Sequence, residues 1–258
     1  LYENFKDDSK VILDGSGGDE VFAGYHYHAV AWELDMLKNK DFKRIDKRYD
    51  LITKNHETLD KKTFKKGAMK RLETSGIATE DGSEYYNKDY LKKDFLHNYY
   101  KSLQIKKPFK SQLRNAQYAD FFYYKLPRSL RYVDRASMRF GVEARVPFLD
   151  HEFVEFCFNI PNKYKMGFGQ QRLMMKYLIR HTLERSLVFQ NKRTIADPQS
   201  HWLKSTLKQL VMDLLHSNDM KKSEIFNQKV ILNFYNKFLE SKKHVNSFFL
   251  FQVVNTLL

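Results

Sequence analysis

A short apolar run that ends in a glycine-rich turn constrains the fold of this chain more than any other feature. Lys10 to Leu13 read Lys-Val-Ile-Leu, and Asp14 to Gly18 read Asp-Gly-Ser-Gly-Gly. Such a run is typical of a buried parallel strand that stops at a turn. From Asp19 to Leu37 apolar residues recur at helical intervals, which predicts one helix directly after the turn. The pattern therefore predicts a strand, a glycine turn and a helix, as in α/β proteins.

The rest of the chain favours helices, and we identify no second convincing strand. Pro127 suits the first turn of a helix, and Asp150 suits an N-cap. Residues 38–67, rich in Lys, Asp and Thr, are interpreted as short helices and loops. The spacing of apolar residues predicts helices over 84–104, 110–126, 128–140, 151–159, 170–186, 199–216, 227–240 and 245–257. The expected fold is a mostly helical α/β body with one clear parallel-type strand.

Composition excludes several classes of protein. The 258 residues are 42% hydrophobic, which supports a core and argues against disorder. No apolar run reaches the roughly 18 residues that span a bilayer, and the first ten residues are too charged for a secretory signal. The single cysteine, Cys157, excludes an internal disulfide and a multi-cysteine metal site, and we interpret it as a core residue. We therefore expect a cytoplasmic protein without a membrane partner.

The turn from Asp14 to Glu20 is the first candidate for chemistry. Its glycines let the backbone approach a ligand, and the N–H groups of a helix start point at anions. The adjacent carboxylates of Asp19 and Glu20 are suited to Mg²⁺ carried by phosphates. The alternative is an ordinary glycine turn, because short glycine motifs are weak evidence. The Walker spacing with its Lys-Ser/Thr is absent, and the second strand of a dinucleotide unit does not follow.

A second candidate is the charged segment from Leu126 to Asp150. Its charged residues of interest are Arg131, Asp134, Arg135, Glu143 and Arg145. The first three share one side of a helix, and the last two follow on an extended turn. Because apolar residues lie between these charges, we expect them to be partly buried and paired with one another or with a ligand. An Arg–carboxylate network closing a helix interface and a functional site both remain open.

A third candidate is the pair Lys176 and Arg180, which lie one helical turn apart. Both side chains are able to face a phosphate or a developing oxyanion, although an ordinary surface pair is the alternative. The nine histidines show no metal-site spacing, so no zinc site is predicted.

Taken together, these three segments resemble the synthetase domain of the glutamine-hydrolysing asparagine synthetases. That family has a strand, a Ser-Gly-Glu-Gly-x-Asp-Glu-like turn and then Phe/Leu-x-Gly-Tyr; here Leu13 to Tyr25 reads LDGSGGDEVFAGY. Arg131 to Phe156, RYVDRASMRFGVEARVPFLDHEFVEF, is similar to the family's second signature. Lys176 and Arg180 match a Lys-x-x-x-Arg motif, and Lys192 to Leu203 is similar to a Lys-then-Pro-then-Trp-Leu stretch. The matches cover most of residues 9–205 in the right order.

The resemblance implies a fold and an activity. The fold would be part of an adenine-nucleotide α-hydrolase-like (ATP pyrophosphatase) domain covering residues 1–258. The implied reaction uses ATP and Mg²⁺ to convert aspartate into β-aspartyl-AMP and pyrophosphate. Ammonia from glutamine then displaces AMP to give asparagine.

The resemblance also implies roles for individual residues. Asp19 would be a Mg²⁺ ligand supported by Glu20. Glu143 would be the base or orienting group near the acceptor, and Lys176 would stabilise charge on the adenylate. The residues expected to bind or frame the nucleotide and acyl-adenylate are Asp14, Gly15, Ser16, Gly17, Gly18, Arg131, Asp134, Arg145, Arg180 and Lys192, the last in a loop that closes over the nucleotide.

Two departures from the family pattern leave alternatives open. Asp14 and Ser16 stand where asparagine-forming members commonly have Ser and Glu, so another amino-acid-like acceptor fits as well. The family's Ser-Gly-Gly-x-Asp-Ser pyrophosphatase loop and its N-terminal glutaminase are not found in these 258 residues. We therefore expect a C-terminal fragment that binds nucleotide poorly and catalyses nothing alone. A non-catalytic scaffold and a homodimer are also compatible with the resemblance.

A nucleic-acid-binding module is the alternative from another class. The formal charge is +14, and lysines lie beside aromatics, as at Tyr99-Tyr100-Lys101. Such clusters track phosphates and stack bases. Here the charge is spread over every segment and the aromatics fall at core-like helical positions, so we rank this class below the synthetase.

Overall fold

The computed structural model describes residues 2–39, 88–99, 105–167, 170–190, 198–241 and 247–258. Short 3₁₀ turns cover Tyr2–Asn4, Lys88–Tyr90 and Pro147–Leu149. The strands and α-helices in these ranges are β1 (Val11–Leu13), α1 (Gly18–Phe22), α2 (His26–Lys38), α3 (Lys93–Tyr99), α4 (Gln112–Phe122), α5 (Lys125–Met138), β2 (Glu143–Arg145), α6 (His151–Asn159), α7 (Asn162–Lys165), α8 (Leu173–Ile179), α9 (Arg185–Val188), α10 (Gln199–Lys204), α11 (Lys208–His216), α12 (Asn218–Lys222), α13 (Gln228–Glu240) and α14 (Phe248–Leu257).

The chain divides into two compact units. The first contains residues 1–77 and 105–192, and the second contains 78–104 and 193–258. The glycine turn, the charged segment and the Lys176–Arg180 pair all belong to the first unit. In the described ranges no helix combines the length and the apolar character needed to cross a bilayer. The predicted α/β class is confirmed, since a mostly helical body contains a small parallel sheet.

The sheet contains a strand that the sequence did not predict. β2 runs parallel to β1, with Val11 opposite Glu143 and Leu13 opposite Arg145. The expectation of one strand followed by an extended turn was therefore wrong. Glu-Ala-Arg has neither β-branched nor aromatic residues, so its pairing is set by the tertiary contact with β1 rather than by local preference.

One face of this sheet is exposed in the described part of the chain. Val11 is 36% exposed and Leu13 75% exposed, so the prediction of a buried strand was wrong for these residues. Glu143 and Arg145 lie opposite them in the register and belong to the same face. Apolar and charged side chains therefore share one open surface.

The helix expected over Asp19–Leu37 is broken into two. α1 ends at Phe22 and α2 begins at His26. Between them Ala23 has φ 59, a left-handed conformation that ends helices. Gly24 follows, and a Cβ there would lie 1.8 Å from Asp19 Oδ1. The glycine therefore makes room for the Asp19 carboxylate, which helical periodicity did not reveal.

A buried carboxylate from α2 fixes the start of α4. Asp35 accepts hydrogen bonds from Ser111 Oγ at 2.5 Å, Gln112 N at 2.6 Å and Leu113 N at 3.1 Å. Ser111 in turn accepts from Arg114 N at 3.2 Å as the N-cap. The first backbone N–H groups of α4 are thus satisfied by side chains, which joins α2 to α4.

Each unit has its own apolar core. In the first unit Cys157 is fully buried, so its prediction as a core residue is confirmed. Buried residues of the first unit include Val21, Phe22, Ala23, Ala29, Ala31, Trp32, Met36, Leu113, Ala116, Cys157, Ile160 and Met166. Buried residues of the second unit include Leu203, Val211, Leu215, Met220, Ile231, Tyr235, Phe238, Leu250 and Val253.

Other helix predictions differ mainly at their boundaries. The helix over 151–159 is confirmed, and its cap Asp150 accepts from Phe153 N at 3.0 Å. The helix predicted for 128–140 starts earlier, at Lys125, with Pro127 in its first turn. The ranges 170–186 and 199–216 are each divided, into α8 and α9 and into α10 and α11. Within the range 84–104 the helix covers Lys93–Tyr99, and residues 40–67, 84–87 and 100–104 lie outside the described residues.

Candidate functional site

The glycine turn after β1 lies over a cavity of about 500 Å³. The turn itself, Asp14 to Glu20, contributes every one of its residues to the lining. The other lining residues come from α5 and α8, from the segment after β2, and from the residues just before α2 and α8; they are Tyr25, Ser129, Phe148, Arg172 and Met175. Segments far apart in sequence therefore meet at the turn.

Two polar residues of the turn bond to each other. Asp14 Oδ1 accepts from Ser16 N at 2.8 Å and also from the Ser16 hydroxyl. This arrangement closes an Asx turn. Gly17 has φ 94, and a Cβ there would lie 2.3 Å from Leu149 Cδ2, so only glycine fits. Around Gly15 a Cβ would meet nothing within 4 Å.

The two adjacent carboxylates have different surroundings. Glu20 is 3% exposed and accepts from the Tyr25 hydroxyl at 2.7 Å. Burial raises the pKa of Glu20, and the Tyr25 hydrogen bond partly opposes that shift. Asp19 is only partly buried, and its Oδ1 lies 3.3 Å from Arg172 Nη1. Asp19 is therefore the carboxylate with better access to the cavity.

The donor set of the turn fits Mg²⁺ carried by a polyphosphate. Mg²⁺ prefers oxygen ligands and is usually held by one or two carboxylates together with substrate phosphates. In the turn, the Asp19 carboxylate is placed to be such a ligand, and the next residue, Glu20, also lines the cavity. Across the described ranges no group of three or more His, Cys, Asp or Glu residues is arranged to hold a metal ion. The residues therefore fit a metal–nucleotide better than an all-protein metal site.

A polar chain supports α1 from behind the cavity. Gln117 Nε2 donates to Glu20 O at 2.7 Å and to Val21 O at 2.9 Å. Its Oε1 accepts from Lys165 Nζ at 3.2 Å. Lys165 is fully buried, and burial together with nearby Arg114 lowers its pKa to about 8. Sequence analysis missed Gln117 and Lys165, because neither carries a local signal of a site.

A second buried cluster fixes the start of α2 against α4. Asp120 Oδ2 lies 2.7 Å from His28 Nε2 and accepts from the Tyr27 hydroxyl at 2.7 Å. The ring of Tyr27 stacks on Tyr25, with centroids 5.4 Å apart. Lys125 Nζ lies 5.0 Å from the centroid of the Tyr25 ring. The tyrosine that bonds Glu20 is therefore held by neighbours on α2 and α5.

Glu143 and Arg145 lie on the open face of the sheet and not in the cavity lining. Arg145 Nε donates to Glu143 Oε1 at 2.9 Å, with side chains 62% and 58% exposed. The Arg145 backbone is nevertheless joined to the turn, because its carbonyl accepts from Asp14 N at 2.7 Å. The structure thus connects β2 to the turn and gives Glu143 a partner.

The charged side of α5 does not have the burial that we expected. Arg131, Asp134 and Arg135 are all exposed. The expectation of partial burial was wrong, because the nearby apolar residues that suggested it, such as Val142 and Val146, belong to the segment after α5 rather than to its charged side. Arg135 borders a separate surface depression beside Tyr132.

The Lys176 and Arg180 side chains have different environments. Lys176 is buried, and its Nζ donates to Gln170 Oε1 at 2.5 Å and to Gln190 O at 3.3 Å. Burial, and secondarily Arg172, lower its pKa. Arg180 is exposed and donates from Nε to His181 Nε2 at 2.8 Å. Neither residue is part of the cavity lining, and Lys192 lies outside the described residues.

A family model for asparagine synthase matches residues 1–255. The chain belongs to the asparagine synthase family. It is 22% identical over 220 residues to asparagine synthetase [glutamine-hydrolyzing] 1 of Bacillus subtilis (strain 168), a match covering 81% of this chain and 34% of that protein. It is 39% identical over 51 residues to asparagine synthetase [glutamine-hydrolyzing] 1 of Saccharomyces cerevisiae, covering 20% of this chain and 9% of that protein.

These matches confirm the resemblance at the level of the family. The chain spans about a third of the length of its Bacillus relative, since the match covers 34% of that protein. No solved structure matches the chain.

Proposed function

We propose that this chain is the part of an ATP-dependent amide-forming synthetase that binds Mg·ATP and the acyl-adenylate. The observation that carries the proposal is the cavity under the β1–α1 turn, which is lined by all of Asp14 to Glu20 and by a cation, Arg172. Membership of the asparagine synthase family supports a ligase with these substrates. The proposed acceptor is aspartate.

The proposed reaction has two steps. A side-chain carboxylate oxygen of aspartate attacks the α-phosphorus of ATP, the bond to the bridging oxygen breaks, and pyrophosphate leaves. Ammonia then attacks the acyl carbon of the β-aspartyl-AMP, and the bond to the AMP oxygen breaks. Asparagine and AMP are released, and the proton lost from nitrogen passes to a base.

Each step has proposed residues in this chain. Asp19, backed by Glu20, would hold Mg²⁺, which neutralises phosphate charge when bound. The backbone from Gly15 to Gly18 would line the phosphates. Glu143, which pairs with Arg145 at 2.9 Å and lies outside the cavity lining, is proposed to accept the proton or orient the acceptor on the strength of the family resemblance alone.

The remaining cations and the charged side of α5 have weaker support. Lys176 would stabilise charge on the adenylate once its Nζ leaves Gln170. Arg131, Asp134 and Arg180 do not line the cavity, so they are proposed only as residues that frame the site. Lys192 is proposed as part of a loop that closes over the nucleotide.

A different amino-acid-like acceptor is the second candidate. The observation that favours it is the hydrogen bond between Asp14 and Ser16. These residues occupy positions where asparagine-forming members commonly have Ser and Glu, and here Asp14 Oδ1 accepts both hydrogen bonds of Ser16, which itself has no carboxylate to present to an acceptor. The cavity would then select another side-chain carboxylate with the same chemistry.

The setting of the enzyme is proposed from the same reasoning. Ammonia would come from glutamine through a glutaminase domain, as the names of the two relatives suggest. We place the protein in the cytoplasm, where ATP is available, and a homodimer is compatible with the proposal. A nucleic-acid-binding module has less support, because the positive charge is spread over the whole chain.

The proposal is tested by acceptor-dependent ATP–pyrophosphate exchange. The protein is purified from its own cells, with whatever sequence flanks this chain, and assayed beside the 258-residue chain. Exchange that requires aspartate supports the proposal, and exchange with another amino acid alone selects the second candidate. Absence of exchange with every acceptor, together with no Mg·ATP binding, would contradict both.

A further inference from the structure

Arg172 is a cation of the cavity that no motif pointed to. It precedes α8 with φ 53 and ψ 37, a left-handed conformation that is costly for a residue with a side chain. Strained backbone of this kind persists only where its surroundings hold it, and such positions cluster at ligand sites. The conformation accompanies a side chain that lines the cavity beside Asp19.

The position of Arg172 creates an electrostatic conflict with the carboxylate proposed for Mg²⁺. The guanidinium lies 3.3 Å from Asp19 Oδ1. Arg172 repels a free cation that approaches Asp19. A cation that arrives bound to an anion is not repelled in this way, because the anion pairs with Arg172. A planar guanidinium is well matched to phosphate oxygens, which it contacts with two parallel N–H groups.

We propose that Arg172 is a phosphate-binding residue and that its ion pair with Asp19 is the resting state, which a magnesium-bound phosphate group replaces. This inference rests on the proposed function. When the ligand binds, the Asp19 carboxylate contacts Mg²⁺, and the Arg172 guanidinium contacts the phosphate group that enters with it. Each side chain then keeps a partner of opposite charge, which makes binding of Mg²⁺ and of phosphate mutually dependent.

The test compares binding of Mg²⁺ alone with binding of Mg·pyrophosphate. Both are measured by isothermal titration on the protein as its own cells make it, its Arg172→Met variant and an Arg185→Met control, which removes an exposed arginine outside the cavity. In Arg172→Met, we expect affinity for Mg·pyrophosphate to fall about tenfold or more. Affinity for Mg²⁺ alone should rise severalfold, because the repelling charge is gone.

Changes of opposite sign in the affinities for Mg·pyrophosphate and for Mg²⁺ alone distinguish a binding role of Arg172 from a structural one. If Arg172→Met weakens both ligands and lowers the unfolding temperature, Arg172 only supports the fold, and the inference is wrong. Unchanged affinities would also overturn it, while leaving the proposed function intact if the wild type binds. Failure of the wild type to bind Mg·pyrophosphate and Mg·ATP would overturn both.

A separate titration with aspartate tests whether Arg172 binds the carboxylate of the acceptor instead of phosphate. Loss of aspartate binding in Arg172→Met, with pyrophosphate binding unchanged, would assign the arginine to the acceptor carboxylate and refute the phosphate assignment. An Arg172→Lys variant should retain part of the pyrophosphate affinity, since the charge remains and the two-pronged geometry is lost.

Discussion

The buried ammonium of Lys165 should make the stability of the first unit depend on pH. Lys165 is fully buried, and its described neighbours include the amide of Gln117, the cation of Arg114 and the thiol of Cys157. Burial and Arg114 lower the Lys165 pKa to about 8 from an ordinary value of 10.5, and Cys157 partly opposes the shift. A folded state with a lowered lysine pKa binds fewer protons than the unfolded state between these two values, so its stability rises with pH there.

The expected size follows from the two pKa values. Integrating the proton-binding difference from pH 7 to about pH 10 gives an added stability on the order of 2 kcal/mol from Lys165 alone. Lys165→Met removes the titrating group. The free energy of unfolding of the wild type, minus that of Lys165→Met, should therefore increase with pH by an amount on the order of 2 kcal/mol over this range.

Urea unfolding at a series of pH values measures this difference. Lys163→Met is the matched control, because Lys163 is exposed and lies two residues away on the same helix. The control should follow the wild type at every pH. Parallel stability curves for the wild type and Lys165→Met would refute the reasoning, since they would mean that the Lys165 charge is not desolvated in the fold.

Four further substitutions test the turn, the α4 cap and the sheet. Gly17→Ala should lower the free energy of unfolding by about 2 kcal/mol or more, because it adds a clash to a left-handed backbone, whereas Gly15→Ala should change it by less than about 0.5 kcal/mol; equal effects in chemical denaturation would contradict the turn geometry. Asp35→Ala should cost about 3 kcal/mol, since three donors lose their acceptor; a loss below about 1 kcal/mol in the same assay would be inconsistent with the cap. Glu143→Gln should leave stability within about 0.5 kcal/mol, because its ion pair with Arg145 is exposed; a marked drop in thermal midpoint would show that the pair supports the fold.

The position of the glycine turn could be predicted because its signals are local. Glycines at a strand end and adjacent acidic residues indicate a ligand-approaching turn without knowledge of the rest of the fold. All residues of the predicted turn, Asp14 to Glu20, line the cavity. The predicted cap at Asp150 likewise depends on a residue only three positions away.

The residues that complete the site could not be predicted because their contacts are long-range. Gln117 reaches Glu20 across 97 positions in sequence, and Arg172 reaches Asp19 from a separate helix. β2 was missed for the same reason, since Glu-Ala-Arg forms a strand only by pairing with β1. On α5 the periodicity predicted the helix, yet the burial of its charged side depends on what packs there, and Arg131 and Asp134 are exposed.

The most direct test of the central claim is a nuclear magnetic resonance titration of the chain with Mg·ATP, which also detects weak binding. The account predicts that backbone amide signals from Gly15 to Glu20 shift, that Asp19→Asn weakens the response at least tenfold, and that Lys163→Met leaves it unchanged. Shifts confined to residues remote from the turn, or a turn that responds equally in Asp19→Asn, would contradict the assignment of this cavity as the nucleotide site.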